Sequence, residues 1–193
     1  GPGFLTLVRE LARVWSESRD DLVQQAERVV QRLRRQFKGS GAVLGLEPEL
    51  LDQAVSQLAG RFDAKNGGFG DSPKFPAPSS LLLLLRYHAR SQDPRVLEMI
   101  TRSLDAMARG GIYDHLGGGF ARYAVDEAWR VPHFEKMLYD NAQLAVVYLE
   151  GFQATQQPLY RQVAVQTLDY VLREMTSPEG GFYSASDADT EGE

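Results

Sequence analysis

The chain has 193 residues, of which 43% are hydrophobic and 24% are charged, a composition typical of one globular domain with an ordinary core. Its net charge of -5 argues against nucleic acid as the main partner, because such binding depends on clustered lysine and arginine. The apolar run LLLLL at 81–85 is too short to span a membrane, and the lack of cysteine excludes disulfides and thiolate metal ligands within this chain.

Apolar residues recur at helical spacing along most of the chain, which predicts an all-α fold. The expected helices cover residues 4–17, 20–37, 47–62, 78–91, 93–108, 133–152 and 158–175. The segment KGSGAVLG at 38–45 interrupts this pattern with three glycines. We therefore expect a two-helix segment over residues 1–40 and a larger helical domain over residues 41–193.

The connections between the later helices are of two kinds. Two of them are short and polar, whereas three are long and share a Gly-Gly-apolar step: AKNGGFGDSPKF at 64–75, ARGGIYDHLGGGF at 108–120 and SPEGGFYSASDAD at 177–189. Short connections make consecutive helices antiparallel, so every second connection falls at the same end of the stack. The three glycine-rich loops are thus predicted to share one rim, where a rigid scaffold would gather functional residues.

The middle loop is the richest in side chains that bind or react. Its segment GGGFARYAVDEAW at 117–129 alternates in polarity and predicts a small β-hairpin over the rim. Aromatic rings beside carboxylates and an arginine suit a sugar, whose apolar faces stack and whose hydroxyl groups need polar partners. The candidate ligand-binding residues are Lys74, Phe75, Tyr113, Phe120, Arg122, Asp126, Trp129, Tyr139, Asp140 and Asp187.

Two histidines of this region are candidates for proton transfer. His133 follows Pro132 at the expected start of a helix, where the helix dipole disfavours a positive imidazole and keeps the ring a neutral base. The alternative is that His133 caps the helix or packs beneath the hairpin. His115, beside Asp114 in a tight loop, has the same two interpretations.

Metal binding and hydrolysis are the other chemistries to weigh. The histidines lack the His-x-x-x-His spacing of a helical metal pair, and we expect neither a metal nor a cofactor. A glycosidase needs two carboxyl groups about 5 to 10 Å apart across a sugar ring. Asp114 or Asp126 with Glu135 or Asp187 would supply such a pair, but the sequence does not give their separation.

Three long segments of the chain are similar to a known family. They are GGFGDSPKFPAP, GGIYDHLGGGFARYAVDEAWRVPHFEKMLYDNAQL and EGGFYSASDADTEGE, and they resemble the central portion of the spermatogenesis-associated protein 20-like family. That family has a thioredoxin-like domain followed by a six-hairpin (α/α)6 toroid similar to N-acylglucosamine 2-epimerases. The resemblance implies that residues 1–40 join an upstream thioredoxin-like domain to an incomplete toroid over residues 41–193.

The resemblance implies a fold more than a reaction. In the related epimerases, histidines at the toroid mouth exchange a proton beside a carbonyl carbon, and only His115 and His133 here could take such parts. The leading hypothesis is a sugar epimerase or isomerase, with catalytic residues His115, His133, Glu135 and Asp114. The alternatives are a glycosidase-type hydrolase and a non-catalytic binding module linked to redox chemistry. A cytoplasmic location and self-association through open toroid edges are also expected.

Overall fold

A computed structural model describes residues 3–37 and 49–189, which fall into two compact units. The boundary predicted near residue 40 lies outside the described residues. The first unit is a helical hairpin of α1 (Phe4–Glu17) and α2 (Arg19–Phe37). Both helices are amphipathic, and their large apolar side chains are mostly exposed, from Val23 at 38% to Phe4 at 82%.

The second unit contains five helices among the described residues: α3 (Glu49–Arg61), α4 (Pro78–Ser91), α5 (Pro94–Arg109), α6 (Leu138–Thr155) and α7 (Pro158–Glu174). Asp93 caps α5 by accepting a hydrogen bond from the Arg95 N–H at 2.9 Å, and Pro158 opens α7. α4 packs against α5 and α6, and α6 packs against α7. The predicted all-α architecture of antiparallel hairpins is therefore confirmed.

The core of this unit lies between the helices of these hairpins. Leu84 on α4, Ile100 and Leu104 on α5, and Tyr148 on α6 are completely buried. Gly151 lets α6 approach α5 closely, because a Cβ atom there would lie 2.6 Å from a methyl carbon of Leu104. This packing fixes the helix ends from which the long loops depart.

Three loops follow α3, α5 and α7, and we name them the first (62–77), second (110–137) and third (175–189) glycine loops. Each begins with a β-bridge that closes a tight turn: Phe62 with Phe69, Tyr113 with Phe120, and Thr176 with Phe182. Lys74 of the first loop pairs with Ala124 of the second, and the strand Lys136–Met137 pairs with Ala185–Ser186 of the third. The predicted common rim is confirmed by these contacts between loops.

Glycine is required where the first two loops dock on the outer helices. Gly67 and Gly118 have φ values of +70° and +79°, which L-amino acids with side chains rarely adopt. A Cβ atom on Gly67 would lie 2.7 Å from the carbonyl oxygen of Arg102 on α5, and one on Gly118 would lie 2.6 Å from that of Gln166 on α7. The two turns thus meet their helices in the same way.

The small β-hairpin predicted in the second loop is present, but its bounds and the start of the following helix differ from the prediction. The hairpin expected over 117–129 is formed by β1 (Tyr123–Ala124) and β2 (Pro132–His133), because the Asp126 carboxylate accepts backbone hydrogen bonds from Ala128, Arg130 and Val131 and shapes a longer turn. The helix expected from residue 133 begins at Leu138, since β2 and β3 (Lys136–Met137) occupy the residues before it. The third loop contains the strand β4 (Ala185–Ser186).

Candidate functional site at the rim

The first two glycine loops are each held by a partly buried aspartate and a lysine. Asp114 accepts hydrogen bonds from the Leu116 and Gly117 N–H groups at 2.9 and 2.8 Å and from the Lys136 ammonium at 2.7 Å. Burial opposes ionisation of Asp114, but Lys136 and the two backbone donors outweigh it and lower the pKa to about 2. A carboxylate held in this way organises the turn and is poorly suited to donate a proton.

Lys74 does not face a ligand. Its side chain is completely buried, and its ammonium donates to Asp63 at 2.6 Å and to the Glu127 carbonyl oxygen at 2.9 Å. The ammonium also lies 5.2 Å from the centre of the Trp129 ring. The ligand-binding role expected for Lys74 is replaced by a scaffold role, because every contact of the ammonium belongs to the loops themselves.

The aromatic platform expected from the sequence lies in the core. Tyr113, Phe120 and Trp129 are 5%, 0% and 1% exposed, so their faces are covered by protein. Tyr113 donates to the Gln166 side chain, and the Trp129 indole donates to the Asn66 carbonyl oxygen at 3.0 Å. These rings tie the loops to the helices and are closed to a ligand in this chain.

A different set of rings reaches the surface of the rim. Phe75, which is 46% exposed, lies 5.0 Å from the Tyr123 ring, and Tyr123 stacks on His133 at 4.7 Å with an angle of 18° between the planes. His133 therefore lies on β2 against Tyr123, not at the start of α6. The helix-dipole argument for this histidine is wrong, because it lies five positions before Leu138, the first residue of the helix.

A polar group is centred on Arg122, which precedes Tyr123 in the sequence. The Arg122 guanidinium donates a hydrogen bond to Glu135 at 2.9 Å. The charges of both residues act on Asp140, which lies in the first turn of α6. Asp140 is 8% exposed, and this burial raises its pKa to about 6, with Arg122 opposing the rise and Glu135 adding to it. We call these residues the rim cluster: Phe75, Arg122, Tyr123, His133, Glu135, Tyr139 and Asp140.

The rim cluster contains buried polar atoms that lack partners. Among the side chains that the structure describes, four buried atoms make no hydrogen bond, and three of them belong to this cluster: Arg122 Nε, His133 Nδ1 and Asp140 Oδ2. A buried polar atom left unpaired costs about 1–3 kcal/mol, so such atoms are rare in structural positions. The rim cluster thus contains three polar atoms whose hydrogen-bonding capacity is not used by the described residues.

The remaining candidate residues lie apart from these contacts. His115 is exposed, and it contacts the Gly110 carbonyl oxygen at 3.0 Å and the Tyr113 ring edge. Burial opposes ionisation of Asp126, but its three backbone hydrogen bonds lower its pKa, and Asp187 is exposed on the third loop. Within residues 3–35 and 49–189, no group of three or more histidine, aspartate or glutamate side chains is arranged to hold a metal ion.

Some of the site could not be found from the sequence. Tyr123 was absent from the predicted ligand set, since it is one of many aromatic residues in the loop. Asn141 is completely buried and fixes the loop by accepting from the Phe120 N–H at 2.7 Å and donating to the Phe120 and Met137 carbonyl oxygens. Asp140 belongs to the predicted ligand set, but the sequence could not show the burial that distinguishes it from the other acidic candidates.

The second unit is part of an (α/α)6 toroid. Cellobiose 2-epimerase from Bacillus thermoamylovorans B4167 superimposes with a TM-score of 0.63 at 14% identity, over 72% of this chain and 40% of that one. D-mannose isomerase superimposes with a TM-score of 0.52 at 18% identity, over 63% of this chain and 30% of that one. At such identities these likenesses establish the fold alone.

In sequence, the chain is similar to spermatogenesis-associated protein 20. The human protein is 40% identical over 195 residues, which cover 97% of this chain and 25% of that protein. An uncharacterized protein of Caenorhabditis elegans is 33% identical over 193 residues. The chain thus spans about a quarter of the length of these relatives, and the resemblance inferred from its motifs is confirmed. No protein-family model matches it.

Proposed function

We propose that the rim cluster binds a reducing sugar and that His133 transfers a proton at the carbon beside the sugar's carbonyl group. The proposal is carried by one observation: Arg122, His133 and Asp140 each have a buried polar atom without a hydrogen-bond partner, and His133 stacks on the Tyr123 ring, which lies 5.0 Å from the exposed Phe75 ring. Rings offer a stacking surface for the apolar face of a sugar, and the polar atoms offer partners for its hydroxyl groups. The toroid fold shared with a sugar epimerase and a sugar isomerase supports this choice of ligand.

The proposed reaction begins with removal of a C–H proton by the neutral His133 imidazole. The C–H electron pair forms a carbon–carbon double bond, and the carbonyl π electrons move to oxygen, where the Arg122 guanidinium stabilises the negative charge. The proton of the adjacent hydroxyl group then moves to this oxygen, the new carbonyl forms where that hydroxyl was, and His133 returns the carbon proton to the neighbouring carbon on the same face, which gives an isomer with one base. Formation of an epimer requires a second proton donor on the opposite face of the sugar. His115 is not placed for this role, because its side chain contacts Gly110 and Tyr113.

The test is an incubation of the full-length protein with a panel of reducing sugars in heavy water. We expect deuterium to enter at the carbon beside the carbonyl, and we expect His133→Ala to reduce the incorporation at least about 100-fold, as is usual for loss of a general base. Added imidazole should restore part of the exchange in that variant. Exchange that survives in His133→Ala but disappears in His115→Ala would assign the base to His115 and overturn the proposal.

Two other outcomes would replace the proton-transfer hypothesis. Release of a monosaccharide from an oligosaccharide would favour the hydrolase, although the low pKa of Asp114 already disfavours that residue as its acid. Protection of the rim from proteolysis by a sugar, without exchange or release, would favour a binding module.

The resemblance also supports proposals about the longer protein. We propose that residues 1–40 join the toroid to an upstream thioredoxin-like domain and that the protein is cytoplasmic, which fractionation of tagged cells would test. No helix within the described parts of the chain is long and apolar enough to cross a membrane.

Self-association is a further proposal for this chain. Leu168 and Leu172 on α7 are 50% and 64% exposed, and such neighbouring apolar side chains favour association. We expect the sedimentation coefficient to rise with concentration. A constant monomer value over a hundredfold concentration range would contradict this expectation.

A further inference from the structure

Three ion pairs join charged side chains of the first two glycine loops. In each pair, the distance between the cationic nitrogen and the carboxylate oxygen is 2.6 to 2.9 Å. The pairs are Lys74 with Asp63, Lys136 with Asp114, and Arg122 with Glu135. Asp140 adds one more carboxyl group beside the last pair, so the rim cluster carries one negative charge in excess when Asp140 is ionised.

Asp140 has an acceptor atom that no other described group of the chain uses. The side chain is more than nine-tenths buried, and its Oδ2 atom has no hydrogen-bond partner. Arg122 Nε, close enough for its charge to act on Asp140, is a buried donor that also lacks a partner. A hydroxyl group can accept from the arginine and donate to the aspartate at the same time, whereas a carboxylate can do only the first.

We propose that Asp140 is the specificity-determining residue of the rim cluster: with Arg122 it binds a hydroxyl group of a neutral or amino sugar and excludes carboxylated sugars. This inference rests on the proposed function only in taking the ligand to be a sugar. It does not depend on His133 or on proton transfer.

The expected selectivity follows from the charge of the site. A sugar carboxylate held near an ionised Asp140 would meet a like charge in a partly desolvated place, which weakens binding by about 10- to 100-fold relative to the neutral sugar. Glu135 cannot replace Asp140 in this role, because its charge is matched by Arg122 at 2.9 Å. An ammonium group on the sugar should be tolerated or favoured by the same excess charge.

Selectivity should also depend on pH, because burial raises the pKa of Asp140 to about 6. The charged or titratable groups carried by the segments around Asp140 are Arg122, His133, Glu135, Lys136 and Tyr139. Several of these groups can contribute to the pH dependence, so the wild-type trend alone does not identify the residue. The part of the trend that disappears in Asp140→Asn belongs to Asp140.

The experiment is a calorimetric titration of the full-length protein with glucose, glucosamine and glucuronate at pH 7.5 and pH 5. We expect glucuronate to bind at least about tenfold more weakly than glucose at pH 7.5 and the gap to narrow at pH 5. Asp140→Asn should bring the two affinities within about threefold of each other at both values. Asp140→Glu should restore the discrimination, and Asp71→Asn, which removes an exposed carboxylate of the first loop, should leave it unchanged.

The outcomes separate this inference from the proposed reaction. Equal binding of glucose and glucuronate by the wild type, or discrimination that persists in Asp140→Asn, would overturn the role of Asp140 even if deuterium exchange occurs. Discrimination without any deuterium exchange would support Asp140 and count against proton transfer. Failure of all three sugars to bind would overturn the sugar site itself.

Discussion

Two polar clusters of the rim contain the same residue types, but only one of them has all its buried polar groups hydrogen-bonded. Asp63 accepts from Lys74, from the Lys65 and Asn66 N–H groups and from the Asn66 amide, and the lysine has no exposed surface. Around Arg122, by contrast, one carboxylate is matched and a second, Asp140, is buried without a partner for Oδ2. The satisfied cluster stabilises the loops, whereas the unsatisfied one costs stability, and that cost identifies the candidate site.

Breaking the satisfied cluster should have the largest effect on stability. Lys74→Met removes the ammonium from a buried ion pair and leaves the Asp63 carboxylate without its strongest partner, which should lower the free energy of unfolding by about 3–5 kcal/mol. Urea denaturation measures the change. Lys65→Met, which alters an exposed lysine of the same loop, should stay within about 0.5 kcal/mol of the wild type. A loss below 1 kcal/mol in Lys74→Met would contradict the scaffold role.

The unsatisfied cluster should respond in the opposite direction. The pKa of Asp140 is raised from 3.8 to about 6, so ionisation of this group opposes folding: its contribution is most favourable below pH 3.8 and is lost as the pH rises through 6. Asp140→Asn should therefore be more stable than the wild type at pH 7.5 by about 1–2 kcal/mol, with the gain disappearing near pH 4. Thermal unfolding at both pH values tests this, and destabilisation at pH 7.5 would contradict it.

The contrast also explains what the sequence could and could not predict. Helical spacing located all seven helices to within a few residues, except for the start of α6, and the repeated Gly-Gly step placed the loops on one rim. Individual roles were harder to predict, because Lys74 and Arg122 are both cations in aromatic loops. Only the fold shows that Lys74 donates a hydrogen bond to Asp63, 11 residues away in sequence, whereas Arg122 Nε has no hydrogen-bond partner among the described residues. The roles of the aromatic residues could not be predicted for the same reason. Trp129 is buried and Phe75 is exposed, and burial depends on contacts between residues that are distant in sequence.

The second satisfied pair should show a smaller effect with a characteristic pH dependence. Asp114 has a pKa of about 2, below its usual 3.8, so its contribution to stability is complete above pH 3.8 and is lost as the pH falls toward 2. Because its side chain is 36% exposed, solvent screening limits the loss in Asp114→Asn to about 1 kcal/mol at pH 7. The difference from the wild type should shrink between pH 4 and pH 2 in acid-unfolding curves, and a constant difference would assign the effect to packing.

The smallest effect on stability is expected where the rim is open. Phe75 is 46% exposed and lies 5.0 Å from Tyr123, so Phe75→Ala should change the free energy of unfolding by less than about 1 kcal/mol. Its effect should appear in binding, since removal of a stacking ring worth about 1 kcal/mol weakens sugar affinity about fivefold. Phe134→Ala is the matched control, because Phe134 is 72% exposed beside His133. Equal losses of affinity in the two variants would show that any exposed ring suffices and that the Phe75–Tyr123–His133 stack is not the binding surface.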